Sequence, residues 1–125
     1  MKDNLPYFPH DNNARRHPKM KALIAEFGYE GYGRFWALNE RIAELSGAYI
    51  DISKKVNKLD LANELGLNGN DLDKFLSFLS DHEIDLINIQ DGKITTDRIT
   101  NEHKKHIIKK KMQSVGKNYG KYILK

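Results

Sequence analysis

The sequence predicts an α+β fold that is mainly helical with a small β-hairpin. Its arrangement is a winged helix-turn-helix with an extended N-terminal arm and a basic C-terminal helix and tail. Three observations predict it. Apolar residues recur at i, i+3, i+4 and i+7 through much of the chain, as on the buried face of a helix. Leu61-Ala62-Asn63-Glu64-Leu65-Gly66-Leu67 has the parts of a helix-turn-helix. Ala62 is small enough for close helix approach, Gly66 suits a left-handed turn, and Leu67 plugs the space beneath. Finally, Asp91-Gly92 between two short β-prone runs is a two-residue type I′ hairpin signal.

The elements follow in order. All 3 prolines fall within the first 18 residues, and Leu5-Pro6-Tyr7-Phe8-Pro9 reads as an extended arm because proline disfavours helix in its predecessor. Tyr7 and Phe8 are expected to dock on the body, with base stacking as the alternative role. Asp11 suits the cap of a helical turn over 12–16. Met20, Leu23, Ile24 and Phe27 share one face of a helix that Pro18 starts and Gly28 stops. Phe35, Leu38, Ile42 and Leu45 define a second helix over about 30–46, with Glu30 and Arg34 one turn apart and Gly47 at its end. Tyr49–Ile52 is a strand, and Ser53 caps a helix near 54–65. Asn70 opens the next helix, near 71–81, with Leu72, Phe75, Leu76 and Leu79 inward. Ile84–Ile89 and Lys93–Arg98 form the hairpin, whose register sets Ile89 opposite Ile94, Ile87 opposite Thr96 and Asp85 opposite Arg98. A last helix is expected over 97–112, with too little apolar periodicity in Ser114–Gly120 to extend it. The expected organisation is an arm and helical turn over 1–17, a winged-helix domain over 18–99 and a basic tail over 100–125.

Composition narrows the function. A chain of 125 residues argues for one domain, and the absence of cysteine excludes a disulfide scaffold, a thiol nucleophile and a cysteine metal site. No apolar run reaches the roughly 18 residues of a membrane span and the N-terminus lacks a signal-peptide core, so a cytoplasmic protein without membrane partners is expected.

Charge is unevenly spread. Residues 101–125 hold eight lysines and one acid, a net +7, whereas residues 1–100 carry a net −3. Such a tail is an electrostatic footprint for nucleic acid, its alternative being a solvated end. The expected DNA contacts are Lys104, Lys105, Lys109, Lys110, Lys111 and Lys117 of the tail, Lys93 at the wing tip, and the second cluster Arg15, Arg16, Lys19 and Lys21. The helix that would normally enter the major groove instead carries Asp71, Asp73 and Asp81, opposed by Lys74. Phosphate contacts supply most of the affinity for DNA, so this acidic helix is a poor groove reader. Asp71, Asp73, Asp81 and Trp36, which stands beside the apolar stripe, are instead the expected protein-partner surface.

At the level of local motifs, Tyr7-Phe8-Pro9-His10-Asp11, Asn13-Ala14-Arg15, Pro18-Lys19 and Phe27-Gly28-x-Glu30-Gly31-Tyr32-Gly33-x-Phe35-Trp36 together resemble a known family. It is the N-terminal domain of replication-initiation and replisome-organiser proteins of phages and mobile elements, similar to DnaD-like primosome proteins. Ser114-x-Gly116-Lys117-x-x-Gly120 resembles the stretch that often follows that domain. The resemblance implies a winged helix that helps assemble a replication-initiation complex on DNA, with a helicase loader, another replisome protein or a second copy as partner. It implies no catalytic residues. His17 stands where that family usually has Asp before Pro-Lys, at an expected cost of about 1 kcal/mol to the helix cap. The chain is also expected to be either a short stand-alone version or one lacking a C-terminal region.

Other constellations are weak. Gly28-x-x-Gly31-x-Gly33 lies between two helices, not between a strand and a helix as a phosphate loop does, so Gly31 and Gly33 are expected to be close-packing positions. Glu102, His103 and His106 fall short of the three or four convergent ligands that zinc needs. Glu40, Arg41 and Glu44 read as a solvated face. No nucleophile–base pair is evident, so the expectation is a protein that is not an enzyme and has no cofactor.

Overall fold

A computed structural model describes residues 4–123, with side chains described for residues 4–113. After the arm come a short 3-10 turn (Ala14–Arg16), α1 (Pro18–Glu44), β1 (Ile50–Asp51), α2 (Lys55–Leu65), α3 (Gly69–Ser80), β2 (Asn88–Gln90), β3 (Lys93–Thr95) and α4 (Asp97–Ile123). The sheet order is β1-β3-β2, with both pairings antiparallel. A kinked first helix, a strand, two helices in a tight turn and a hairpin returning beside the first strand make a winged-helix arrangement.

The two helices expected before residue 47 run on as α1, broken at Gly28. Gly28 has φ 71° and ψ −175°, a region open essentially to glycine alone, and it redirects the chain without a connecting loop. His17 caps α1 despite its poor propensity: the Lys19 N–H donates to its Nδ1 at 3.3 Å, which requires the tautomer protonated at Nε2. Gly31 is buried, and an added Cβ would clash with the Phe27 Cβ. Gly33, expected to be a packing position, is exposed with nothing near it.

The core lies where both halves of α1 meet α3, the sheet and the first turn of α4. Leu23, Leu38, Ile42, Leu72, Leu79, Ile94 and Ile99 are completely buried, each contributing about 1.5–3 kcal/mol. Phe27 meets Phe75 and Phe78 edge-on at 5.3 and 5.2 Å, clamping α3 to α1. Gly66 adopts φ 70° and ψ 32°, and the Leu67 N–H donates back to the Ala62 carbonyl at 2.8 Å, closing α2 and turning the chain into α3.

Several expected boundaries move. Ser53 does not cap α2; its hydroxyl and N–H both donate to Asp51 Oδ1 (2.6 and 2.9 Å), and Lys54 occupies the cap. These two bonds, the hydroxyl's first, hold the Asp51 carboxyl below its ordinary value. Asn68, not Asn70, caps α3, accepting from the Asp71 N–H at 2.8 Å. The second half of α1 stops at Glu44, before Gly47, because Ala48 turns back with φ 58° and donates to Leu45. The helical turn before α1 is limited to Ala14–Arg16, and the Asp11 carboxylate goes to Arg98 instead of capping it.

The hairpin is shorter than expected. Its turn has positive φ at both Asp91 (54°) and Gly92 (73°), and Ile89 pairs with Ile94. The pairs Ile87–Thr96 and Asp85–Arg98 do not form. The N–H groups of Leu86 and Ile87 both donate to the Leu79 carbonyl, which turns residues 84–87 away from the ladder. On the other side Asp97 already starts α4, so the expected boundary at 99/100 falls inside a helix whose first turn is core. The backbone of α4 continues to Ile123, past the expected end at 112.

Candidate nucleic-acid interface

The base of α4 is set by one buried hydroxyl. Thr96 accepts from the Ile99 N–H at 3.3 Å, capping the helix, and donates to Asn39 Oδ1 at 2.9 Å. His103 adds a hydrogen bond from its Nε2 to the Ser46 carbonyl at 3.1 Å. Beyond this rooted part, Lys104, Lys105, Lys109 and Lys111 are exposed and Lys110 is half-buried. Among the described residues only Lys105 of these five meets a carboxylate, Glu102, at 3.5 Å. The Lys117 side chain lies outside the described residues. At 100° per residue, Lys104 and Lys111 form one row and Lys105 and Lys109 another, with exposed Ile108 and Met112 between them.

The other expected cations do not join this group. Lys93 lies over the Tyr49 ring at 4.7 Å beside the hairpin turn. Lys19 is drawn to Asp85, donating to its carbonyl at 3.3 Å with the carboxylate 4.0 Å away. Arg15 donates to the Asn12 carbonyl at 3.0 Å, and Arg16 and Lys21 are exposed. Arg41, expected on a solvated face, instead bridges α1 to α2 through Glu64 and Asp60 (3.4 and 4.0 Å), and pairs within α1 with Glu44 at 3.2 Å.

The expected partner surface is only partly open. Asp71 is exposed, while Asp73 is held by Lys58 of α2 at 2.6 Å. Asp81 ends α3 and accepts from the Glu83 N–H at 2.9 Å. Trp36 lines no groove: it is 6% exposed, with His10 stacked on it at 3.7 Å, Phe8 at 6.2 Å, and Arg98 over its ring at 5.5 Å. Among the described residues its buried Nε1 has no hydrogen-bond partner.

Arg98 also fixes the arm that covers Trp36, donating to the Pro9 carbonyl at 3.1 Å and to Asp11 Oδ2 at 3.4 Å. Leu5 is buried and its N–H donates to the Ala43 carbonyl at 2.9 Å. Between these anchors Phe8 docks as expected, but Tyr7 does not: the residue is 82% exposed. The arm and α4 enclose a cleft of about 390 Å³ lined by Leu5, Pro6, Tyr7, Glu102, Lys105, His106, Lys109, Lys110 and Gln113. Three of the expected lysines thus line it, joined by Tyr7, for which base stacking was the alternative to docking, by His106, weighed only as a metal ligand, and by Gln113, which sequence reasoning did not single out. Only the nearness of aromatic and basic residues to the two chain ends hinted at it.

Among the described residues no three His, Asp or Glu side chains converge as metal ligands would, and no helix is long and apolar enough to cross a membrane. No curated protein and no solved structure matches this chain. Residues 7–116 match the family described as Lin1244/Lin1753-like, N-terminal, a span that takes in the arm, the winged-helix core and much of α4. The chain therefore belongs to the Lin1244/Lin1753-like N-terminal family.

Proposed function

We propose that this chain is a DNA-associated winged-helix module of a phage or mobile-element replication-initiation protein. It helps assemble the primosome, and its lysine-rich α4 holds phosphates largely without regard to sequence. The observation that carries the proposal is the run Lys104, Lys105, Lys109, Lys110 and Lys111, of which only Lys105 has a carboxylate within 4.0 Å among the described residues. Ammonium groups left unneutralised on one helix are free to displace counterions from a polyanion. The acidic exposed face of α3 supports the same division of labour, since groove insertion would set Asp71 against phosphate rows. The replication assignment rests on the motif resemblance around Tyr7–Arg15 and Phe27–Trp36.

Five to seven lysine–phosphate contacts give a slope of log affinity against log salt of about −4.5 to −6 on duplex DNA. Replacing Lys104, Lys105, Lys109, Lys110 and Lys111 by glutamine removes most of that slope. A slope near zero in the native chain, or an unchanged slope in the variant, overturns the proposal.

A second reading is favoured by Ile108 and Met112, 56% and 68% exposed one turn apart on α4. An apolar strip of this kind suits a protein partner or a second copy of the chain, as in an oligomerisation module that does not read DNA. Light scattering separates the two: a salt-insensitive oligomer that leaves DNA unretarded supports the second.

A further inference from the structure

We infer that the cleft between the arm and α4 is a subsite for single-stranded nucleic acid. One unpaired base stacks on Tyr7 while Lys105, Lys109, Lys110 and His106 hold the adjoining phosphates. The inference rests on the reading of α4 as a phosphate-binding helix and adds the strand form it takes.

The placement of Tyr7 is the starting point. The residue is 82% exposed, yet the backbone on either side is pinned: Leu5 is buried and bonded to Ala43, Phe8 stacks on Trp36, and Arg98 holds the Pro9 carbonyl. Pro6 stiffens the step before it. An aromatic face is therefore presented to solvent from an anchored segment and contributes little to the core. The opposite wall carries Lys105 and Lys109 one turn apart, and Lys110 one turn beyond His106. Among the described residues Glu102 is the only carboxylate in the lining, and it is taken by Lys105 at 3.5 Å.

An aromatic face beside a row of cations is how proteins hold single strands: every base has a π-face, and backbone charge is met by ammonium groups. The cleft, about 390 Å³, lies within the roughly 300–1,000 Å³ typical of small-ligand sites and has room for one nucleotide. Duplex DNA can use the lysines but not Tyr7, because its bases are stacked and paired and show the arm no ring face. The cleft thus discriminates by strandedness rather than by sequence.

The test is fluorescence anisotropy of the full chain with labelled oligothymidylate, oligouridylate and an unrelated duplex. Tyr7→Ala is expected to weaken binding to one or both single strands about 5- to 150-fold, the worth of one base stack. Duplex affinity stays within about 2-fold. Comparing the two single strands tells DNA from RNA. Tyr7→Trp retains single-strand binding, and Lys105→Gln with Lys109→Gln weakens single and double strands alike. Unchanged Trp36 emission shows that Tyr7→Ala and the double lysine variant keep the arm docked. For Tyr7→Ala, equal losses on single and double strands, or no loss on any, overturn the inference while leaving lysine-dependent phosphate binding in place. Failure of the native chain to bind any of the three polymers overturns both.

Discussion

Thr96 and Asn39, 57 positions apart, share a buried hydrogen bond of 2.9 Å that ties the start of α4 to the middle of α1. Asn39 is completely buried and also donates from Nδ2 to the Phe35 carbonyl at 3.0 Å. Thr96→Val keeps the shape but removes the cap and strands the Asn39 carbonyl oxygen, at an expected cost of about 2–4 kcal/mol. Adding Asn39→Leu removes the stranded acceptor and recovers part of that loss. A double-mutant cycle from urea unfolding should give a coupling of about 0.5–3 kcal/mol; zero coupling would mean that the two side chains act separately.

Trp36 is the only tryptophan in the chain and reports on the arm. His10→Ala removes the ring stacked on it, and Arg98→Ala removes the two hydrogen bonds that Arg98 makes to the arm. Both substitutions should shift Trp36 emission to the red and raise its quenching by acrylamide. Arg98→Ala should shift it more, since it loosens the whole segment. Native-like emission from both variants would show that the arm does not lie over Trp36 in solution.

Two glycines in α1 should respond oppositely to alanine. Gly28→Ala forces a Cβ onto φ 71° and ψ −175° and should destabilise by roughly 1–3 kcal/mol, although the added atom meets nothing within 4 Å. Gly33 is exposed, and the same change there should stabilise by up to about 1 kcal/mol through helix propensity. Urea midpoints compared at constant m-value decide both.

Asp51 sets an acid-side dependence. Its carboxyl titrates lower in the folded chain than in the unfolded one, so its contribution is complete above the ordinary aspartate range near pH 4. That contribution fades as pH falls through the lowered value. Ser53→Ala deletes the hydroxyl bond, the larger cause, and should move the Asp51 midpoint upward in a carboxyl-carbon NMR titration. An unmoved midpoint would assign the effect to the backbone N–H of Ser53 or to Lys54 and Lys93.

Local chemistry was legible in the sequence where it acts alone. Gly66, the apolar face of α3 and the Asp91-Gly92 turn each dictate geometry within a few residues, and all three stand as expected. Boundaries slipped where a side chain had two uses. Ser53 chose Asp51 over the helix end, and the Leu79 carbonyl captured the N–H groups that would have extended β2. The cleft could not be read, because the path of the arm depends on Arg98, which meets Pro9 across 89 positions. The same long-range bond explains why Trp36 is covered and Tyr7 is not.

The hairpin carries a consequence for reach. Strands of three residues project only about 10 Å, and the Ile52 N–H bonds the Gly92 carbonyl at 2.7 Å while Ser53 fills the space beside Gly92. This short loop is braced from below. It works as a bracket that steadies the chain where it enters α2.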